Sequence, residues 1–347
     1  MPPRYYERDT SFIPAHDQPS TLLDLMLGRR IDADRALRGS GLFYDDILTG
    51  RRSISPQQYL ALVDNARRLL PGEDGSFLFG QRIWPGHYGA ASQALRHAAT
   101  VRDALDLLAR RHALLSPLAT PRLWRDDRYV WLYWTDGCGA APQWRFLAEA
   151  ACAGVVALCR EISGQRLPWE FFFRHERPRH VEQYWVHLGR ELRFAQPLDL
   201  MRLPRHCELQ ACPVALPTVA QVAAQQSEEQ AQALGADASF LDRVYDHLRE
   251  RVCEAPSLEQ VAQAFGVSPA TLKRKLGKHG TGFQEQYDQV RMHVALQLFL
   301  VRGCNNEQVA DYLHFHDAAN FRRSFKRWTG HAPSALRPAL EGAGNRA

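Results

Sequence analysis

The chain of 347 residues has no run of 18 or more apolar residues, which excludes a transmembrane helix, and Met1-Pro2-Pro3-Arg4-Tyr5-Tyr6-Glu7 lacks the apolar core of a signal peptide. A cytoplasmic protein with no membrane partner is expected. The seven cysteines, Cys138, Cys152, Cys159, Cys207, Cys212, Cys253 and Cys304, are odd in number and form no Cys-x-x-Cys pair, so neither a disulfide framework nor a zinc finger is indicated. They read as small core residues, with a redox sensor the minority alternative. Catalytic signatures are missing too. There is no Gly-x-Ser-x-Gly and no phosphate-binding Gly-Lys-Ser/Thr, and Gly86-His87-Tyr88-Gly89 lacks the glycines of a dinucleotide loop. His175 and His180 imitate a metalloprotease pair, but they stand five apart with Pro178 between them and cannot share a helical face. His314-Phe315-His316 is too small a cluster to hold a metal. No enzyme, metal or cofactor is expected.

Net charge is also missing from most of the chain. Between Pro256 and Arg337, Lys and Arg outnumber Asp and Glu by 11 to 6, which equals the whole-chain excess of 43 over 38. An electrostatic footprint confined to the last quarter points to a polyanion met there and nowhere else.

That quarter contains a repeat. Glu259-Gln260-Val261-Ala262 returns as Glu307-Gln308-Val309-Ala310, an offset of 48, and Leu272 and Leu276 return as Phe321 and Phe325 at an offset of 49. In the first copy Leu258, Val261, Ala262 and Phe265 form a helical stripe. Ser257-x-x-Gln260 is a capping box, Gly266 suits a left-handed stop, and Ser268-Pro269 reads as an N-cap followed by proline at the first helical position. The second copy repeats the plan with Asn305-x-x-Gln308, Asp317 as cap, and Gly330 and Pro333 as stop. Two helix-turn-helix units in tandem are predicted.

With Leu272, Leu276, Phe321 and Phe325 turned inward, the second helix of each unit presents Ala270, Lys273 and Arg274, or Ala318, Asn320, Arg322 and Arg323, to the outside. Arg pairs with guanine O6 and N7 through two donors and Asn reads adenine, so these are the candidate base contacts on double-stranded DNA. Lys275, Lys278, Lys326 and Arg327 are candidate phosphate contacts, which position without reading sequence. A solvated cationic face explains one such helix as well as DNA does; two copies weigh against it. Gln284 to Arg302 carries helical periodicity with no Pro or Gly interrupting it, and its 19 residues span about 28 Å, comparable to the ~34 Å repeat of B-DNA.

Nearly all of Ala238 to Arg337 resembles the AraC/XylS transcription regulators. The stretches that carry the likeness are Leu258 to Ala262, Ser268-Pro269-Ala270-Thr271-Leu272-Lys273-Arg274, Gly280-Thr281-Gly282-Phe283, and Phe321 through Pro333. The resemblance implies a two-subdomain DNA-binding module with a connecting helix. One position departs from it: Leu313-His314-Phe315 has histidine where the family has glycine, which predicts strain or a different shape if positive φ is needed there.

The rest of the chain is long enough for one further domain. Leu22 to Leu27, Pro56 to Leu70, Val101 to Leu115 and Phe146 to Ile162 have helical spacing, whereas Tyr129 to Trp134 and Trp169 to Phe173 are aromatic strand-like runs, a mixture that favours α+β. The expected architecture is an α+β N-terminal effector domain over 1–217, a linker or exposed helix over 218–237, and an all-α DNA-binding domain with two helix-turn-helix units over 238–340. Phe79 through Gly89, Ala99 through Leu105 and Phe171-Phe172-Phe173-Arg174-His175 resemble the arabinose-binding-like effector domain of the AraC-type subgroup that includes ornithine-utilisation regulators. That implies a small-molecule sensor and a homodimer, without making arabinose the ligand. Trp84, His87, Tyr88, Trp131, Trp134, Trp144 and Phe173 are candidate walls of an apolar pocket, and Arg145, Arg174 and His175 candidate carboxylate binders; for any one aromatic, plain core packing is the commoner role. The expected partners are DNA, a small-molecule effector, a second copy of the chain and RNA polymerase. An architectural DNA binder without effector and an enzyme tethered to DNA are the competing readings, the latter lacking any catalytic group in residues 1–217.

Overall fold

The run Tyr129 to Trp134 is buried on both sides, and this decides the architecture. The computed structural model describes residues 4–335, so the expected end of the DNA-binding part, at 340, lies outside the described residues. Five strands, β1 (Ala119–Arg125), β2 (Tyr129–Asp136), β3 (Glu170–Phe172), β4 (Leu192–Arg193) and β5 (Leu200–Pro204), form one sheet in the order β1-β2-β5-β3-β4. All neighbours are antiparallel except β3 and β4. Side chains alternate across a strand. Val130, Leu132 and Trp134 therefore enter the core of the N-terminal part, while Trp131 and Tyr133 join a second core with Phe240, Val244 and Tyr245 of the C-terminal part. A strand covered on both faces reads as an unbroken apolar run, which is how this one reads.

On the first face lie α1 (Gln18–Gly28), α2 (Pro56–Leu69), α3 (Gly75–Ile83), α4 (Ala90–Arg96), α5 (Val101–Arg110) and α6 (Trp144–Ser163). The long α6 crosses α3 closely at glycines: a Cβ on Gly80 would collide with the carbonyl of Ala150, and one on Gly154 would stand 3.0 Å from the carbonyl of Gly80. This explains the glycine in the Phe79-Gly80-Gln81 stretch. The helix predicted over Val101 to Leu115 is interrupted at Arg111 (φ −108°, ψ 27°), before the short helical turn His112–Leu115. Arg111 leaves the helix to pair with Glu228, and His112 lies 3.5 Å from Asp242, so tertiary partners override the periodicity. The segment read as a linker or exposed helix is α7 (Pro217–Ala233), and it is only partly exposed: Ala223, Ser227 and Ala231, one per turn, are buried where it packs on α4.

The C-terminal part begins with α8 (Phe240–Glu250), capped by a Ser239/Asp242 box. It continues with α9 (Leu258–Ala264), α10 (Pro269–Lys278), α11 (Phe283–Leu300), α12 (Asn306–Tyr312) and α13 (Ala318–Thr329). Ser257, Ser268, Asn305 and Asp317 each accept from the backbone N–H three residues on, as predicted from sequence. The connecting helix α11 is buried nearly all round, with Val290, Ala295 and Leu296 at 0–1% exposure, because it packs against α8, α12 and α13 and shares one core with the first unit.

Candidate DNA-reading surface and effector face

The two units have the same turn, bond for bond. Gly266 N–H donates to Gln263 and Val267 N–H to Ala262, each at 3.0 Å; His314 N–H donates to Asp311 at 3.0 Å and Phe315 N–H to Ala310 at 2.9 Å. Gly266 has φ +65° and His314 φ +54°. The histidine thus keeps the shape and bears the strain, since a Cβ in the left-handed region costs ~1–2 kcal/mol. What holds it is Arg291 of α11, which donates to the Leu313 carbonyl at 2.8 Å and lies over the Phe315 ring at 4.0 Å. Burial lowers the pKa of this guanidinium. Nothing in the helical periodicity of Gln284 to Arg302 marks this brace, because its partners lie 22 and 24 residues further along the chain. His314→Gly is expected to stabilise the chain by about 0.5–1 kcal/mol, the relief of strain less the added freedom of the unfolded chain, measured as a rise in the denaturation midpoint. A lower midpoint would show that the histidine is held there by contacts worth more than the strain.

Leu272, Leu276, Phe321 and Phe325 are fully buried, which turns Ala270, Lys273 and Arg274 outward on α10, and Arg322, Arg323, Lys326 and Arg327 outward on α13, with Ala318 and Asn320 half-buried beside them. Several of these cations are already engaged. Arg323 donates to Asn320 Oδ1, Asn320 Nδ2 donates to Asp317 at 3.0 Å, and Arg327 pairs with Asp288 of α11 at 3.1 Å. On α10, Lys275 and Lys278 both pair with Glu7, and Lys278 also with Asp9 at 2.6 Å. Arg8 donates to the Lys278 carbonyl at 3.1 Å, and Tyr6 adds a bridge to Ser239. Burial opposes ionisation of Glu7, yet the two lysines hold its carboxyl below the usual range. An N-terminal acidic segment therefore covers the two candidate phosphate contacts of the first unit. Nothing local in the sequence marks this, because the partners lie about 270 residues apart.

The candidate effector residues do not converge. Trp84 is buried with its Nε1 donating to Leu115, Trp131 donates to Asp126, and Phe173 is fully enclosed among aromatic rings. His87 is exposed and bonds the His16 carbonyl. Arg145 and His175 do meet a carboxylate, but it is the protein's own: Arg145 Nε donates to Glu149 at 2.8 Å, Ser76 donates to it at 2.6 Å, and Tyr184 links it to His175. Glu149 is buried, so in this structure Arg145 and His175 are engaged by an internal carboxylate. Trp134, Trp144 and Arg174 come together in a cleft of about 600 Å³ between the sheet and α11, joined by His279, His293 and Trp328. Burial pushes the imidazole of His279 down to about 4 and that of His293 to about 3, so both are neutral in the ordinary pH range.

The junction between the two parts is also ionic. Arg122 of β1 pairs with Asp242 of α8 at 3.2 Å and with Asp246, and lies over Tyr245 at 4.3 Å. Tyr133, Tyr245 and His293 make a hydrogen-bonded chain through the same interface.

Residues 31–210 match the family model for the arabinose-binding domain of AraC transcription regulators, N-terminal, and residues 261–339 match a helix-turn-helix domain model. The chain belongs to the AraC family of transcription regulators. This AraC-type regulator is 28% identical over 263 residues to the ornithine utilization regulator of Pseudomonas aeruginosa, covering 76% of this chain and 78% of that one. It is 29% identical over 98 residues to the regulator VqsM of the same species, 28% of each chain. The crystal structure of the regulator CdpR from Pseudomonas aeruginosa overlaps 92% of this chain and 97% of its own, at 23% identity and a TM-score of 0.42. The AraC-type protein thus has an N-terminal effector-binding domain with a sheet and a helical DNA-binding region, and among its described residues no helix is long and apolar enough to cross a membrane.

Proposed function

We propose that the chain works in the cytoplasm as a non-enzymatic, sequence-specific regulator, divided into a sensor (1–217), a linker (218–237) and a reader (238–340). Arg274 with Lys273 and Ala270, and Arg323 with Arg322, Asn320 and Ala318, face base edges in successive major-groove windows. Lys275, Lys278, Lys326 and Arg327 face phosphates. The observation that carries this reading is the duplicated turn, each copy followed by a capped helix with its apolar side buried and its arginines outside. A second copy of the chain docks on the exposed apolar residues Leu216, Val219 and Val222 at the start of α7. Shape changes in the sensor reach the reader through the shared core around Trp131, Tyr133 and Tyr245, so an effector acts by binding two domain arrangements unequally.

The test is titration of the full chain against a duplex selected from random sequence and against bulk competitor at several salt concentrations. The selected site is expected to bind at least ~10³-fold tighter; a ratio near one would favour the architectural reading. Glu7→Gln combined with Asp9→Asn frees Lys275 and Lys278. It is expected to tighten binding to every duplex alike and to steepen the salt dependence by up to about 2 in log–log slope, about 0.9 per added phosphate contact. An unchanged slope would remove these lysines from the phosphate contacts.

A further inference from the structure

A cavity of about 330 Å³ lies between the N-terminal segment, the start of α1 and the C-terminal end of α7. Its volume falls at the lower end of small-molecule sites. Ile13, Leu114, Ala233 and Leu234 supply apolar wall, and Asp17 and Tyr88 supply the chemistry.

The Asp17 side chain is only 13% exposed, and among the described residues its one charge-capable contact is His16 at 3.4 Å, itself half exposed. Asp17 stands at the N-cap of α1 yet makes no cap hydrogen bond with its side chain. The Tyr88 hydroxyl, in the same wall, is buried with only the Thr21 side chain beside it. A carboxylate taken out of water without a cation or donors is costly, and a cation that arrives with its own N–H groups removes that cost. Burial accordingly pushes the Asp17 carboxyl up to about 6, the nearby His16 and His87 offsetting only part of it. The carboxylates that line the larger interdomain cleft, by contrast, have partners. There Asp136 accepts from the backbone N–H groups of Cys138, Gly139 and Ala140, Asp288 is paired with Arg327, and Glu285 caps α11.

We infer that this cavity is the effector site of the sensor, and that it takes a small organic cation, a primary ammonium or guanidinium on a short aliphatic body, with the charged end on Asp17 and Tyr88 and the body against Ile13 and Leu114. The inference rests on the regulator reading above and adds the ligand class and its place. Because α7 closes one side, a bound cation ties this linker helix to the sensor, which gives the ligand a route to the reader.

The experiment uses the full chain with n-hexylamine, 1,4-diaminobutane and 4-guanidinobutylamine as probes and hexanoate and 1-hexanol as controls, read by calorimetric titration and thermal shift. At least one cationic probe is expected to bind and raise the melting temperature, hexanoate and 1-hexanol are not, and Asp17→Asn is expected to weaken the cation at least tenfold. The variant should fold, since the Asp17 side chain caps nothing; its circular dichroism and its affinity for the selected duplex check this. Equal binding to wild type and Asp17→Asn, no binding by any cation, or preference for hexanoate would overturn the site while leaving the regulator reading intact if the duplex is still bound. Loss of duplex binding by the wild type would instead defeat the regulator reading.

Discussion

Asp242→Asn is expected to destabilise the chain by about 3 kcal/mol, roughly 4 °C in melting temperature for a protein of this length. The Arg122 guanidinium is 11% exposed and the Asp242 side chain 1% exposed, so the substitution leaves a charge in the interface with half its compensation gone. Removing one partner of a buried pair costs ~3–5 kcal/mol, and the lower end applies because Asp246, 40% exposed, still reaches Arg122. Asparagine retains an oxygen to accept from Ser239, so the cap of α8 survives and the loss reports the ion pair. The pH dependence has a definite sign. Burial works against the Asp242 charge, but His112, Arg122 and Ser239 outweigh it and hold the carboxyl well below its ordinary 3.8. A depressed folded-state pKa gives stability that is present above 3.8 and lost as the pH falls through the lower folded value. The gap between wild type and variant, followed by urea denaturation, should therefore be constant at neutral pH and close in strong acid. A gap that widens on acidification would contradict the assignment of the stability to this carboxylate.

Arg274→Ala is expected to cost ~1–3 kcal/mol on the selected duplex, about 5- to 150-fold, while changing affinity for random DNA by less than threefold. Arg323→Ala should behave alike, with one difference that the structure supplies. Arg323 is bonded to Asn320, which is in turn bonded to Asp317, so the two side chains act as a unit. The double variant Asn320→Ala/Arg323→Ala should lose less than the sum of the single losses, whereas Arg274→Ala/Arg323→Ala should be additive because the two sites share no partner. Competition titrations against duplexes carrying single base changes would locate the relaxed position for each arginine. Uniform weakening on all duplexes would reassign that arginine to the phosphates.

The elements most legible in sequence were those whose defining contacts span three or four residues. Ser257 with Gln260, Asn305 with Gln308 and Asp317 with Asn320 are closed by side chain and backbone within one turn, so residue type and spacing specify them before any tertiary contact forms. The strain at His314 was readable for the same reason, since a left-handed position is a property of the turn itself. The aromatic set of the sensor was not readable in this way. Trp131 and Trp134 are three residues apart and so lie on opposite faces of the strand, but that each face meets a core of its own is decided only by the helices packed on the two sides of the sheet.

The amino-acid order alone determined a tandem helix-turn-helix reader with its cationic excess, joined by one long helix, because capping, periodicity and net charge are local or additive quantities. The tertiary structure alone decided that Glu7 and Asp9 cover Lys275 and Lys278, that Arg145 and His175 belong to Glu149, and that Arg122 ties the sheet to Asp242. Those pairings join residues that chain topology must first bring together, and a charge far away in sequence carries no mark of the partner it will meet.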